Sequence, residues 1–201
     1  MARRCKISFS VSPQACILVA AALLLISLPW VFAWLIAAAV HELSHCLMVL
    51  GCGKQIERIE IGSQGAQIFT EPLTDVQTVL CAIAGSAGEL SLLIFSSCFP
   101  RIAICALLQS IFNLLPVFPL DGGRALRAVC RLLFSCKVAD KISTCVENIV
   151  IWFLCLLGLI STVFWKLGIL PLVFSLLFLM HMKKIKNLQI KASQGTIVLP
   201  K

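Results

Sequence analysis

Long apolar runs separated by short polar segments dominate the pattern of this chain. The first run covers the 36 residues from Ala15 to Leu50, which would be about 54 Å long as one helix, whereas the hydrocarbon core of a bilayer is about 30 Å thick. The segment 27–30, Ser-Leu-Pro-Trp, supplies a helix breaker and an interfacial tryptophan. We therefore predict one span at about 13–29 and a second at about 30–50, with a single kinked, tilted helix as the alternative.

Four later apolar runs predict further membrane spans, at about 76–99, 102–118, 148–165 and 167–181. The predicted fold class is an all-α polytopic membrane protein with about six transmembrane helices and a short β-hairpin, forming a single domain over residues 1–201. The segment from Arg124 to Glu147 has basic residues among apolar ones, which predicts an amphipathic helix at the membrane interface.

The hairpin is predicted between spans two and three. Residues 56–61 and 66–69 indicate two short strands around the turn Gly62-Ser63-Gln64-Gly65. Two strands alone are marginally stable, so they would serve best as an edge that a substrate segment extends by adding a further strand. A simple connecting loop is the alternative.

Composition indicates a membrane protein. The chain is 60% hydrophobic with a mean hydropathy of +1.00. The net charge is +8, but the basic residues lie in short clusters beside apolar spans, without a nucleic-acid-binding motif, so the predicted partner is the lipid bilayer and not nucleic acid. The eleven cysteines are scattered with no Cys-x-x-Cys pair, which predicts apolar packing and not disulfides.

The distribution of Lys and Arg predicts the orientation. The basic residues of segment 1–14 resemble the front of a signal peptide, but no convincing cleavage site follows, and we expect the segment to be retained. Six spans with both termini in the cytoplasm place 15 of the 17 basic residues inside and only Arg101 and Lys166 outside. The predicted localisation is the cell membrane, multi-pass, with both termini cytoplasmic.

A His-Glu-x-x-His pattern lies within the second span. On a helix, His41 and His45 are one turn apart on one face and can bind one zinc ion. Glu42 projects about 100° away from His41, where it could act on a metal-held water without being a ligand. The alternative is a set of polar residues at the interface with no metal, but three ionisable groups among apolar residues are costly and usually functional.

A third ligand is predicted from segment 113–124, Asn-Leu-Leu-Pro-Val-Phe-Pro-Leu-Asp-Gly-Gly-Arg. Its two prolines and two glycines let Asp121 turn inward on an irregular segment. Two histidines and one carboxylate leave the fourth zinc position open, which is typical of a catalytic site, so the predicted cofactor is one zinc per chain. Glu89, after the small residues 84–88, is a further acid at membrane depth, with a role at the active site or a structural hydrogen bond as its two interpretations.

The two motifs in this order resemble the site-2 protease family of intramembrane zinc metallopeptidases, over about residues 15–125. The resemblance implies His41, His45 and Asp121 as zinc ligands. It also implies Glu42 as the catalytic base and Asn113 as a polar residue near the substrate. The family often has Gly-Pro and an Asn where this chain has Gly85-Ser86 and Glu89, so we give Glu89 a substrate-binding role only as a hypothesis.

The hairpin and the compact length are most similar to the sporulation branch of that family, the stage IV sporulation protease that activates a sigma-factor precursor. Such proteins usually carry a C-terminal nucleotide-sensing CBS domain, whereas about twenty residues follow the last predicted span here. Regulation by an attached ATP-binding domain is therefore not expected.

The predicted function is hydrolysis of a peptide bond in or near a transmembrane segment of a membrane-associated protein, such as a sporulation or signalling precursor. Regulatory membrane proteins are further expected partners. The alternative is a non-catalytic zinc-containing scaffold or sequestering pseudoprotease, which the intact Glu42 argues against because a structural site needs no base. A zinc transporter is a third class, but its path would need more acidic groups or histidines than Glu89 alone supplies.

Overall fold

The computed structural model describes residues 8–62 and 65–164 of the chain. The elements in these ranges are mostly helices, with one small sheet. In chain order they are β1 (Ser8–Val11), α1 (Pro13–Leu25), α2 (Leu28–Gly51), β2 (Ile56–Gly62), β3 (Gly65–Thr70), α3 (Asp75–Ser91) with a 3₁₀ turn at Leu92–Phe95, α4 (Pro100–Asn113), α5 (Asp121–Leu133) and α6 (Cys136–Phe164).

The break predicted in the first apolar run is present. α1 ends at Leu25 and α2 begins at Leu28, with Pro29 in its first turn. Proline is tolerated there because the first N–H groups of a helix have no partner within the helix. The proline therefore starts the second helix, and α1 stops short of the predicted boundary at 29.

Three helical segments among the described residues have the length and apolar composition to cross a membrane: Leu28–Gly51, Asp75–Phe95 and Cys136–Ser161. The other apolar helices are shorter, with 13 residues in α1 and 14 in α4. The predicted span at 102–118 is helical only as far as Asn113, since Pro116 and Pro119 cannot continue a helix. The predicted span at 167–181 lies outside the described residues, and the six-span arrangement stays a prediction.

The prediction of one interfacial helix between Arg124 and Glu147 is wrong in its boundaries. The region forms α5 and then, after an extended residue at Phe134, the beginning of α6. α6 continues through the predicted span boundary at 148. The chain divides into two compact units, residues 1–143 and 144–201, and the site described below belongs to the first.

The predicted hairpin is confirmed, and a third strand accompanies it. β2 and β3 are antiparallel, with Ile61 opposite Ala66. β1 pairs in parallel with β2, so the strand order is β1-β2-β3. The expected all-α fold with a hairpin is thus corrected to a mostly helical fold with a three-stranded sheet. A strand of four residues carries too few positions for its alternation to be recognised beside an apolar helix.

Small residues let α2 approach its neighbours closely. Ala33 and Ala37 of α2 form a buried cluster with Cys105 and Ala106 of α4. On the α3 side, a Cβ atom on Gly88 would overlap the Ser44 side chain. Such contacts between small residues are the usual basis of helix association in membranes, and here they bring α3 and α4 to the polar face of α2.

Candidate active site

Three predicted ligands from two helices converge in the interior. His41 and His45 project from one face of α2 because they are four residues apart, and the first residue of α5 is Asp121. Asp121 Oδ2 lies 3.0 Å from Nε2 of each histidine, and the two Nε2 atoms are 2.9 Å apart. All three residues are buried. Atoms this close can touch one ion at the 2.0–2.2 Å typical of zinc ligands, so the donor set fits a metal.

The outer nitrogen of His45 fixes its orientation. Its Nδ1 lies 2.8 Å from the carbonyl oxygen of Cys81 on α3. A carbonyl oxygen only accepts, so Nδ1 donates its proton to Cys81, and Nε2 is the ring nitrogen that would bind a metal. This is the tautomer that a metal ligand needs, and a carbonyl partner on the outer nitrogen is a common support for ligating histidines.

His41 has a carboxylate beside its outer nitrogen. Glu89 Oε2 on α3 lies 3.1 Å from His41 Nδ1, and the Glu89 side chain is 0% exposed. Asn113, the last residue of α4, places its side-chain Nδ2 3.4 Å from the same nitrogen. Both hypothetical substrate-binding residues therefore border the histidines, Glu89 from the fully buried side and Asn113 from the end of α4.

The segment before α5 places Asp121 by close backbone packing. A Cβ atom on Gly122 would overlap the backbone of Leu114 and Leu115, and one on Gly123 would overlap that of Val117 and Phe118. The two glycines therefore allow the 114–120 segment to fold back over the start of α5. Asp121 lies at the beginning of a helix, not on the irregular segment that the sequence predicted, and a carboxylate is stabilised at a helix N-terminus.

The carboxylate form of Asp121 is favoured. Burial raises the pKa of its carboxyl, but the hydrogen bonds with His41 and His45 lower it by more, so the pKa lies well below its usual range. Arg124 Nη1, one turn along α5, lies 3.8 Å from Asp121 Oδ1. The group that faces the histidines is therefore the anion that a metal requires.

Glu42 lies beside the three ligands but contacts a different element. Its Oε1 accepts a hydrogen bond from the backbone N–H of Ala66, at 3.3 Å. Ala66 is the second residue of β3. The start of this strand therefore contacts α2 at Glu42. The carboxylate is only partly buried, which leaves it accessible next to the candidate metal position.

Two features of the site have no counterpart among the predicted residues. The Cys81 carbonyl could not be singled out, because every residue carries one. Gly85 could have been singled out, since it lies in the small-residue stretch 84–88. A Cβ atom at Gly85 would lie 2.5 Å from His45 Nε2 and 2.7 Å from His41 Cε1. The imidazoles occupy the space that Gly85 leaves free.

Comparison with known proteins accords with this geometry. Residues 64–157 match the sequence profile of the family described as Peptidase family M50. This part of the chain is similar to a peptidase M50 domain. The matched residues include Asn113 and Asp121, whereas the His-Glu-x-x-His pattern at residues 41–45 lies before the matched range.

A curated protein and a solved structure, both from Methanocaldococcus jannaschii, are similar to this chain. A curated zinc metalloprotease is 28% identical over 140 residues, which cover 63% of this chain and 41% of that protein. A solved structure of a site-2 protease is 21% identical, covers 93% of this chain and 88% of its own, and superposes with a TM-score of 0.61. The second likeness shows a shared fold. Together these findings confirm the resemblance to site-2 proteases. The aligned residues span less than half of the length of the curated zinc metalloprotease.

Proposed function

We propose that this chain is a zinc-dependent intramembrane endopeptidase that hydrolyses a peptide bond in or near a transmembrane segment of a membrane-associated protein. One observation carries the proposal: two histidines and an aspartate converge within hydrogen-bond distance of one another beside a glutamate that is not part of the cluster. Three protein ligands with an open fourth position are the arrangement of a catalytic zinc site.

Each residue has a definite part in the proposed reaction. His41, His45 and Asp121 would hold the ion, one per chain. When bound, zinc supplies Lewis-acid chemistry, which polarises a carbonyl oxygen and lowers the pKa of a bound water to about 7. Glu42 would accept a proton from the attacking water and return it to the amine that leaves, so one carboxylate acts first as base and then as acid.

Asn113 is proposed to orient the substrate. Its amide lies at the end of α4 within 3.5 Å of the His41 ring, and an amide can donate to a peptide carbonyl and accept from a peptide N–H. Those are the two backbone groups that any extended substrate offers, so the contact would be independent of substrate sequence.

We propose that the substrate binds as an added strand along the outer edge of β3, which is defined by the backbone of Ala66 and Ile68. β3 pairs with β2 along one edge, and the Ala66 N–H on its other edge points to Glu42. The N–H direction alternates along a strand, so Ile68 faces the same way as Ala66. A segment added along this edge would run toward Glu42, and backbone hydrogen bonds would hold it extended.

The proposal includes a location. The apolar helices and the similarity to an M50 domain support a membrane protein, and the Lys and Arg distribution favours both termini in the cytoplasm. A sporulation or signalling precursor as substrate, and regulatory membrane proteins as partners, extend the proposal by resemblance to the sporulation branch.

The test is a search for the substrate in the source cells. We expect one or a few membrane proteins to accumulate in full length when Glu42→Gln replaces the natural chain, and their shorter products to disappear. Glu57→Gln is the matched control, because it makes the same change at an exposed glutamate of β2. An unchanged set of membrane-protein fragments in the Glu42→Gln strain would contradict the proposed endopeptidase.

A further inference from the structure

The buried acid of α3 has a contact that the proposed reaction does not use. Glu89 is the largest of the fully buried side chains among the described residues, at 0% exposure, and it lies in a helix long and apolar enough to cross a membrane. Burying a carboxylate away from water is costly unless a polar group compensates it. Neither carboxylate oxygen of Glu89 has a hydrogen-bond partner among the described residues, and the basic group nearest to it is His41, whose Nδ1 lies 3.1 Å from Glu89 Oε2.

We propose that Glu89 is a positioning residue for His41, which accepts the Nδ1–H of the imidazole and directs Nε2 toward the metal. This inference rests on the proposed zinc site. A carboxylate behind a ligating histidine fixes the ring and its tautomer, and its negative charge makes the opposite nitrogen a stronger donor.

The direction of approach separates this role from that of a ligand or a base. Glu89 meets the ring at Nδ1, whereas Asp121 and His45 meet it at Nε2. The two nitrogens lie on different edges of the imidazole, so the ring itself separates Glu89 from the position of the ion. Glu89 therefore acts on the site through His41.

Asn113 does not replace Glu89 as the partner of this nitrogen. When Nε2 binds a metal, Nδ1 carries the proton. The Nδ2 of Asn113, 3.4 Å away, is itself a donor and cannot pair with an N–H. The carboxylate of Glu89 is an acceptor and complements it, which leaves the Asn113 amide for the substrate.

The two histidines are supported unequally. His45 has a neutral backbone carbonyl on its Nδ1, and no substitution at Cys81 removes a carbonyl. His41 has a charged side chain, which a substitution can remove. The contribution of His41 to metal binding is therefore sensitive to residue 89.

The experiment measures zinc affinity of the purified full-length protein by competition with a chelator. We expect Glu89→Leu, which removes the acceptor, to weaken zinc binding about 10–100-fold, the range typical when such an outer partner is lost. Glu89→Gln retains an acceptor oxygen without the charge, so its loss should be smaller but still several-fold. The visible absorption of cobalt bound in place of zinc should change in both variants, because the His41 donor changes.

Ser110→Ala is the matched control for loss of a buried polar group, since Ser110 Oγ donates to the Ser86 carbonyl at 3.4 Å and forms no hydrogen bond with His41, His45 or Asp121. It should leave zinc affinity within twofold of the natural protein. Zinc affinity within twofold in Glu89→Gln, and in Glu89→Leu if it folds, would overturn the positioning role. A natural protein that binds zinc but cleaves no substrate would instead refute the endopeptidase and leave the affinity comparison valid.

Discussion

Gly85 of α3 faces the imidazole of His45 so closely that a Cβ atom at this glycine would lie 2.5 Å from Nε2. This Nε2 atom is also the one that points to the candidate metal position. α3 can therefore support the two histidines only with a hydrogen atom at position 85, and the small residue is part of the site and not merely of helix packing.

Gly85→Ala should consequently displace the imidazoles. Overpacking of a filled interior costs about 1–3 kcal/mol, and part of that strain should fall on metal binding, so we expect both a lower midpoint of thermal unfolding and weaker zinc retention. Gly51→Ala is the control, because a Cβ atom there meets nothing within 4 Å. Equal zinc retention in the two variants would show that the rings can move without loss.

The metal assignment predicts about one zinc per purified chain. His41→Ala removes one of three ligands, so the bound zinc should fall well below one per chain. His181→Ala serves as the control, since it removes the third histidine of the sequence, which lies outside the His-Glu-x-x-His pattern. Metal analysis by mass spectrometry decides the matter, and stoichiometric zinc in His41→Ala would refute the ligand set.

The outer edge of β3 predicts a backbone effect on turnover. Ile68→Pro removes the N–H that faces away from β2 and leaves the β2 pairing partners of Gln67 and Phe69 in place. One lost hydrogen bond is worth about 0.5–1.5 kcal/mol, so kcat/KM should fall roughly 2–10-fold with zinc content unchanged. Ile68→Val alters the side chain but keeps the N–H, and equal rates for the two variants would argue against strand addition.

Orientation in the membrane is testable at two basic positions. Arg101 lies in the first turn of α4 and Lys137 in the first turn of α6. Because Lys and Arg are in excess on the cytoplasmic side, we expect a single cysteine at 137 to react only from the cytoplasm and one at 101 only from outside, in a background without the natural cysteines. Labelling of both from one side would remove the six-span arrangement.

The predictions that succeeded rest on strong local rules. The spacing of His41 and His45 places them together on any helix, and the glycines after Asp121 indicate where the backbone can pack closely. The hairpin strands were recognisable because the alternation over residues 56–61 stands beside a glycine-bounded turn. Each of these signals lies within about ten residues of the chain.

The features that failed or were missed depend on distant parts of the chain. Each residue of β1 pairs with a residue of β2 that lies fifty positions later in the chain, and the four positions of β1 carry no distinctive pattern. The contact between Glu42 and the Ala66 N–H depends on how the hairpin returns over α2. The partners of the two Nδ1 atoms, the Cys81 carbonyl and Glu89, depend on the register of α3 against α2, which is set by small residues and not by any ionisable group.

The catalytic and metal-binding parts of the site can be separated by two isosteric changes. Glu42→Gln leaves His41, His45 and Asp121 untouched and removes the proton acceptor, so the variant should keep about one zinc while turnover falls by about 10²–10⁴-fold, the usual contribution of general-base catalysis. Asp121→Asn replaces an anionic ligand with a neutral amide, a poor zinc ligand, so zinc affinity itself should drop. Chelator competition and cleavage of one reconstituted substrate, measured on both variants, distinguish the two kinds of loss. A Glu42→Gln protein that retains zinc and cleaves at the natural rate would exclude Glu42 as the base. If neither the natural protein nor Glu42→Gln cleaves the substrate while both retain zinc, the scaffold alternative is favoured.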